Sequence, residues 1–194
     1  MVPRTPLVVV LAGPNGAGKS TSAARLLRGA LTVAEFVNAD TIAHGLSAYR
    51  PEAAAVAAGR VMLERLRFLA RERRDFAFET TLAGHSHARW LRELRSSGYR
   101  AHLIFLSLPD PDLAVARVAE RVRRGGHHVP EDVVRRRFRA GLKNLLGQYP
   151  DTVDSWQVYD NAGLAGPRLI ASRTAGMPPV IADPNAWENL KEQV

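Results

Sequence analysis

Six aliphatic residues, Leu7-Val8-Val9-Val10-Leu11-Ala12, run directly into Gly13-Pro14-Asn15-Gly16-Ala17-Gly18-Lys19-Ser20, and this junction limits the possible folds more than any other stretch of the chain. A strand with no polar face must be covered on both sides, which is the situation of a central strand in a parallel sheet. The glycines after it force a turn, and the residues from Lys19 to Arg28 read as a helix.

The pattern repeats downstream. A short strand is expected around Phe36-Val37, and a helix from Pro51 to Arg73 with Val56, Leu63, Leu66 and Ala70 on its apolar face. Strands follow at Asp75–Glu79, Ala101–Leu106, Ser155–Tyr159 and Arg168–Ser172, with helices at His87–Ser96, Asp110–Arg124, Glu131–Leu146 and Ala186–Glu192. Strands alternating with helices predict an α/β fold of three layers around a mainly parallel sheet. With 194 residues and no internal repeat or linker, residues 1–194 are expected to form one domain. The segment of about 110–147, two arginine-rich helices around the loop Gly125 to Pro130, is expected to act as a lid.

Gly13 to Ser20 fits the pattern G-x-x-x-x-G-K-[ST], the Walker A sequence, in the strand-before, helix-after context that the pattern needs. Backbone amides of Gly13, Pro14, Asn15, Gly16, Ala17 and Gly18 (the proline excepted) can turn inward around phosphate oxygens, at a helix N-terminus that carries partial positive charge. Lys19 is placed to reach the β- and γ-phosphates, Ser20 to ligate Mg²⁺, and Thr21 to touch the α-phosphate. A dinucleotide fold is the rival, with Asp40 where such folds put a ribose-binding acid, but Thr21 stands where its third glycine belongs and Lys19-Ser20 has no role in it.

An acid facing the γ-phosphate would decide the reaction. Asp40 follows the second strand and is either a base that takes the proton of an attacking hydroxyl or a cap on the turn Thr41-Ile42-Ala43. Glu79 closes the third strand beside Thr80 and Thr81, in position to hold Mg²⁺ or to bind an acceptor. Arg117, Arg121 and Arg124 recur at helical spacing away from Val115, Val118, Ala119 and Val122, so they are either solvated or cover an anion. Arg135, Arg136, Arg137 and Arg139 follow the loop and could close over a triphosphate. His85, His87, His127 and His128 lack the spacing of a transition-metal site and read as loop polarity or substrate contacts. Trp156, Tyr159 and Asn161 are either base contacts or parts of the last strands, with Asn161 the candidate on the purine side.

Composition removes other chemistries. The absence of cysteine excludes disulfides, thiolate metal sites and cysteine nucleophiles. No apolar run is long enough to cross a bilayer, and Met1 to Pro6 does not read as a leader, so a cytoplasmic address is expected. A net charge of +8 points to an anionic partner without separating nucleotide from nucleic acid. Two classes therefore stand: a kinase using ATP and Mg²⁺ on a small-molecule hydroxyl, or a nucleotide-binding ATPase or switch that works with a nucleic acid or protein. A slow, degenerate nucleotide binder is a third.

Over residues 6–163 the chain resembles the short branch of the zeta toxin family, through Gly13 to Ser20, Asn38-Ala39-Asp40, Phe78-Glu79-Thr80-Thr81-Leu82 and Arg117 to Arg137. Such proteins also carry the label of predicted ABC-type ATPase, although no LSGGQ-like stretch is present. The resemblance implies an ATP-dependent kinase of UDP-N-acetylglucosamine restrained by an antitoxin. It implies phosphate and magnesium roles for Lys19 and Ser20, an acceptor-activating base at Asp40, and an acceptor pocket at Glu79 and Thr81. Arg117 falls nearest one γ-phosphate sensor position, and the second falls at His127.

Overall fold

The computed structural model describes residues 4–28 and 31–194; Met1 to Pro3, on which part of the leaderless reading rests, lie outside the described residues. Strands β1 (Leu7–Ala12), β2 (Glu35–Val37), β3 (Phe76–Thr80), β4 (Arg100–Ser107), β5 (Ser155–Asp160), β6 (Arg168–Arg173) and β7 (Val180–Ile181) form one sheet in the order β2-β3-β1-β4-β5-β6-β7. The first five are parallel, and β6 and β7 add antiparallel strands at one edge. The chain leaves β1 toward the β2 side and later crosses back to β4, so a topological switch point lies at the carboxyl end of β1, where open α/β sheets bind ligands.

The continuous apolar run has the expected consequence. Val8 through Ala12 are wholly buried, flanked by Phe76 and Phe78 on β3 and by Leu103 and Phe105 on β4. The helices are α1 (Lys19–Arg28), α2 (Ala39–Leu46), α3 (Ala55–Arg71, preceded by a 3₁₀ turn at Pro51–Ala54), α4 (Ser86–Ser96), α5 (Pro111–Arg123), α6 (Glu131–Gly147), α7 (Tyr149–Thr152) and α8 (Pro184–Lys191).

Helix α3 faces the core with a stripe that keeps Leu66 and the half-buried Ala70 of the expected one but not its other two members. Ala58, Met62, Leu66 and Leu69 are buried, whereas Val56 and Leu63 are exposed. Ala119 of α5, grouped with the core positions, is exposed too.

Helix α6 is seated on the carboxyl edge of the sheet by two contacts with the segment after β3. A Cβ on Gly141 would stand 2.6 Å from the Thr81 carbonyl, so only glycine allows that approach. Almost one turn further on, the buried Asn144 amide donates to the Leu82 carbonyl at 2.7 Å. These contacts carry the amino-terminal half of α6 over the carboxyl ends of the strands.

Candidate active site

The loop between β1 and α1 closes on itself with backbone angles that glycine favours: Gly13, Gly16 and Gly18 have φ of 144°, 80° and 76°. Gly16 also lies against α5, where an added Cβ would stand 2.7 Å from the Ala114 carbonyl and 3.1 Å from the Arg117 Cβ. The first amides of α1 have no intrahelical acceptor, so they face the hollow of the loop as donors. Lys19 lies beneath with 6% of its surface exposed, its ammonium donating to the carbonyls of Gly13 (2.8 Å) and Pro14 (2.9 Å) and standing 3.6 Å from Glu79. Burial pushes the Lys19 pKa down, and the charges of Glu79 and Asp40 partly oppose that.

Beside it, the Ser20 hydroxyl donates to Glu79 Oε2 at 2.8 Å. A hydroxyl and a carboxylate are oxygen donors of the kind magnesium takes, and side by side they can reach one ion. The Asn38 amide donates to the same carboxylate oxygen at 2.6 Å. Sequence reasoning misses Asn38 as a site residue, yet it also caps α2, where its Oδ1 accepts from the amides of Asp40 (2.7 Å) and Thr41 (3.1 Å). The cap alternative for Asp40 is thereby excluded. Asp40 sits in the first turn with its side chain exposed to the cleft.

These groups line one cavity of about 470 Å³. Asn15, Gly16, Gly18, Lys19, Ser20 and Thr21 line it together with Asp40, Glu79, Thr80 and Thr81 and with Arg117, Arg121 and Arg137. Gly13, Pro14 and Ala17 shape the loop from behind. Asn15 Oδ1 and Arg121 Nε are buried without a hydrogen-bond partner. No group of three His, Asp or Glu positioned to hold a metal occurs among the described residues.

The arginines separate. Arg117 donates to the carbonyls of Asn161 (2.8 Å) and Ala162 (2.6 Å), and Arg121 to the His127 carbonyl (2.8 Å). Arg124 does not join them: it is 78% exposed and paired with Glu120 at 2.9 Å, because α5 turns it outward past the end of the cleft. Arg137 of α6, which the sequence leaves undistinguished among its neighbours, faces the cavity instead. Arg135 is bound to Asp112 and Glu131.

Asn161 is engaged with the loop itself. It is 9% exposed, and its amide donates to the Ala17 carbonyl at 2.7 Å, so it braces the phosphate loop from behind. His127 stands 3.5 Å from Glu52 and lines a smaller side pocket together with Asp40 and Arg137.

Comparison with known proteins agrees with this architecture. An uncharacterized protein of Haemophilus influenzae is 29% identical over 126 residues, which cover 65% of this chain and 88% of that protein. Among solved structures, the AvrRxo1-ORF1:-ORF2 complex with ATP contains a chain similar at a TM-score of 0.73 and 15% identity, over 96% of this chain and 63% of that one. This chain thus spans less than two thirds of that relative's length. The PezAT chromosomal toxin–antitoxin system of Streptococcus pneumoniae gives a TM-score of 0.64 and 15% identity, over all of this chain and 87% of that one. The likeness is one of fold, a P-loop kinase-like α/β fold with a mainly parallel seven-stranded sheet. The AAA_33 family, described as an AAA domain, matches residues 8–145, most of the length that builds this cleft, and the chain belongs to that family.

Proposed function

We propose that the protein is a phosphotransferase that moves the γ-phosphoryl group of ATP to an alcohol. One observation carries this: a phosphate loop, a magnesium-compatible Ser20–Glu79 pair, and the free carboxylate of Asp40 converge on the same cavity as three arginines. An exposed acid in the same cavity as the phosphate loop supplies the proton acceptor that an attacking hydroxyl needs.

The acceptor O–H lies against Asp40, which takes its proton as the oxygen attacks Pγ. The new O–Pγ bond forms as the bond from Pγ to the β,γ-bridging oxygen breaks, and ADP leaves with that electron pair. The loop amides and Lys19 hold the phosphate chain, while Arg121 opposes charge on the transferring group. Magnesium held at Ser20 and Glu79 would supply a Lewis acid to the phosphate oxygens.

The zeta toxin resemblance offers UDP-N-acetylglucosamine as the first acceptor to assay. The toxin–antitoxin system among the similar folds supports an antitoxin-like protein partner as part of the same proposal. One catalytic unit across residues 1–194, with α5 and α6 as its lid, and a cytoplasmic address complete it. No helix among the described residues is long and apolar enough to cross a membrane.

The test incubates the protein with γ-labelled ATP, Mg²⁺ and a metabolite extract, and identifies labelled products by mass spectrometry. A labelled phosphoester is expected. Label released only as free phosphate would overturn the reading in favour of an ATPase or switch.

A further inference from the structure

A second hollow of about 140 Å³ opens from the catalytic cleft, and the two share Asp40 and Arg137 at their junction. Ala43 and Ala55 contribute apolar surface to it, and His44 and His127 also line it. Its volume equals that of about five water molecules at roughly 30 Å³ each. A short carbon chain with a charged head fits there; a nucleoside does not.

Charge identifies the head group. Three arginines line the larger cleft, and two of them are engaged: Arg117 with the carbonyls after β5, and Arg121 with His127. Arg121 also stands close enough to Lys19 for its charge to lower the lysine's pKa, so it belongs to the nucleotide side. Arg137 alone lines both cavities, is half-buried, and has neither a hydrogen-bond acceptor nor a carboxylate partner among the described residues. Its neighbour Arg135, by contrast, has two acids. A half-buried guanidinium that faces a cavity and has no protein partner is a ready contact for an anionic ligand group.

Resting on the phosphotransferase reading, we infer that the acceptor is a compact alcohol bearing its own oxyanion, with that group against Arg137 in the side pocket and its hydroxyl at Asp40. The lining holds one acid, Asp40, against an arginine and two imidazoles. The acid is shared with the larger cleft, where a proton must be removed, and Arg137, shared likewise, binds the planar or tetrahedral oxyanion through paired N–H donors. The transfer is the one written above, with the oxyanion unchanged.

The experiment saturates the phosphate loop with a non-hydrolysable ATP analogue and Mg²⁺, so that no added oxyanion can bind there. Calorimetry then measures glycerol 3-phosphate, glycerate, glycerol and UDP-N-acetylglucosamine. At least one of the two compact anions is expected to bind at least roughly tenfold more tightly than glycerol, as a charge-assisted contact allows. Phosphate and carboxylate heads are distinguished by which of the two it is. Arg137→Gln removes the preference, Arg137→Lys keeps part of it, and affinity for the analogue stays within about twofold in both. Thermal melts check that both variants fold. Equal binding of glycerol, a preference that survives Arg137→Gln, or tighter binding of the nucleotide sugar than of either compact anion would overturn the inference. The readout is binding, so compact-anion binding without label transfer would sink only the phosphotransferase reading.

Discussion

Replacing Asn161 by alanine separates a structural brace from a base contact. The side-chain amide is the donor that reaches the Ala17 carbonyl, at 2.7 Å, and Ala17 is wholly buried in the middle of the phosphate loop. Without it the carbonyl is left unpaired in a dry site, which costs about 1–3 kcal/mol. In a chain of this size that is roughly 2–12 °C of melting temperature. The backbone contacts of residue 161 persist, since Arg117 bonds to its carbonyl and its amide donates to Ser107. Chemical denaturation with and without ATP provides the assay. The variant is expected to unfold at lower denaturant, to bind ATP roughly tenfold more weakly because the loop is no longer held, and to discriminate ATP from GTP as the parent does. Unchanged stability with lost discrimination would refute the brace and restore Asn161 to the purine side.

Two further outcomes follow from local geometry and burial. Gly16→Ala places a methyl 2.7 Å from the Ala114 carbonyl at a φ of 80°, so it should abolish measurable ATP binding; Gly125→Ala, at a φ of 82° with nothing within 4 Å, should cost only about 1–2 kcal/mol and leave binding intact. Equal ATP titrations for the two would contradict this. Burial pushes the pKa of both His87 and His102 below the ordinary 6.5, so their contribution to stability is complete above the unfolded value and is lost as pH falls from there through the lower folded values. Urea midpoints should decline from about pH 6.5 downward, by up to about 1.4 kcal/mol per pH unit for each histidine, and a flat profile between pH 5 and 6.5 would oppose it.

The parts of the molecule legible in the sequence are those written locally. The run Leu7–Ala12 ending in glycine specifies a central strand, its loop and the following helix because burial on both faces, turn geometry and capping all act within fifteen residues or so. What escapes depends on how distant segments meet. Helix α2 reads only as a turn because it is short, contains Gly45 and buries only Ala43. The arginines cannot be sorted from sequence because helical spacing gives a face but not what the face covers: α5 turns Arg124 to Glu120, while the seating of α6 by Gly141 and Asn144 brings Arg137 to the cleft. Asn38 is legible in type, since an asparagine before a helix signals a cap, but its bond to Glu79 joins residues 41 apart in sequence.

The most direct measurement compares single turnovers of the parent and Asp40→Asn with saturating ATP, Mg²⁺ and an identified acceptor. The carboxamide keeps the shape of the side chain but cannot take a proton, so phosphoryl transfer should slow by roughly 10²–10⁴ while ATP affinity stays near that of the parent. Transfer at an undiminished rate would remove Asp40 as the base and, with it, the reason for assigning this cleft to an alcohol acceptor.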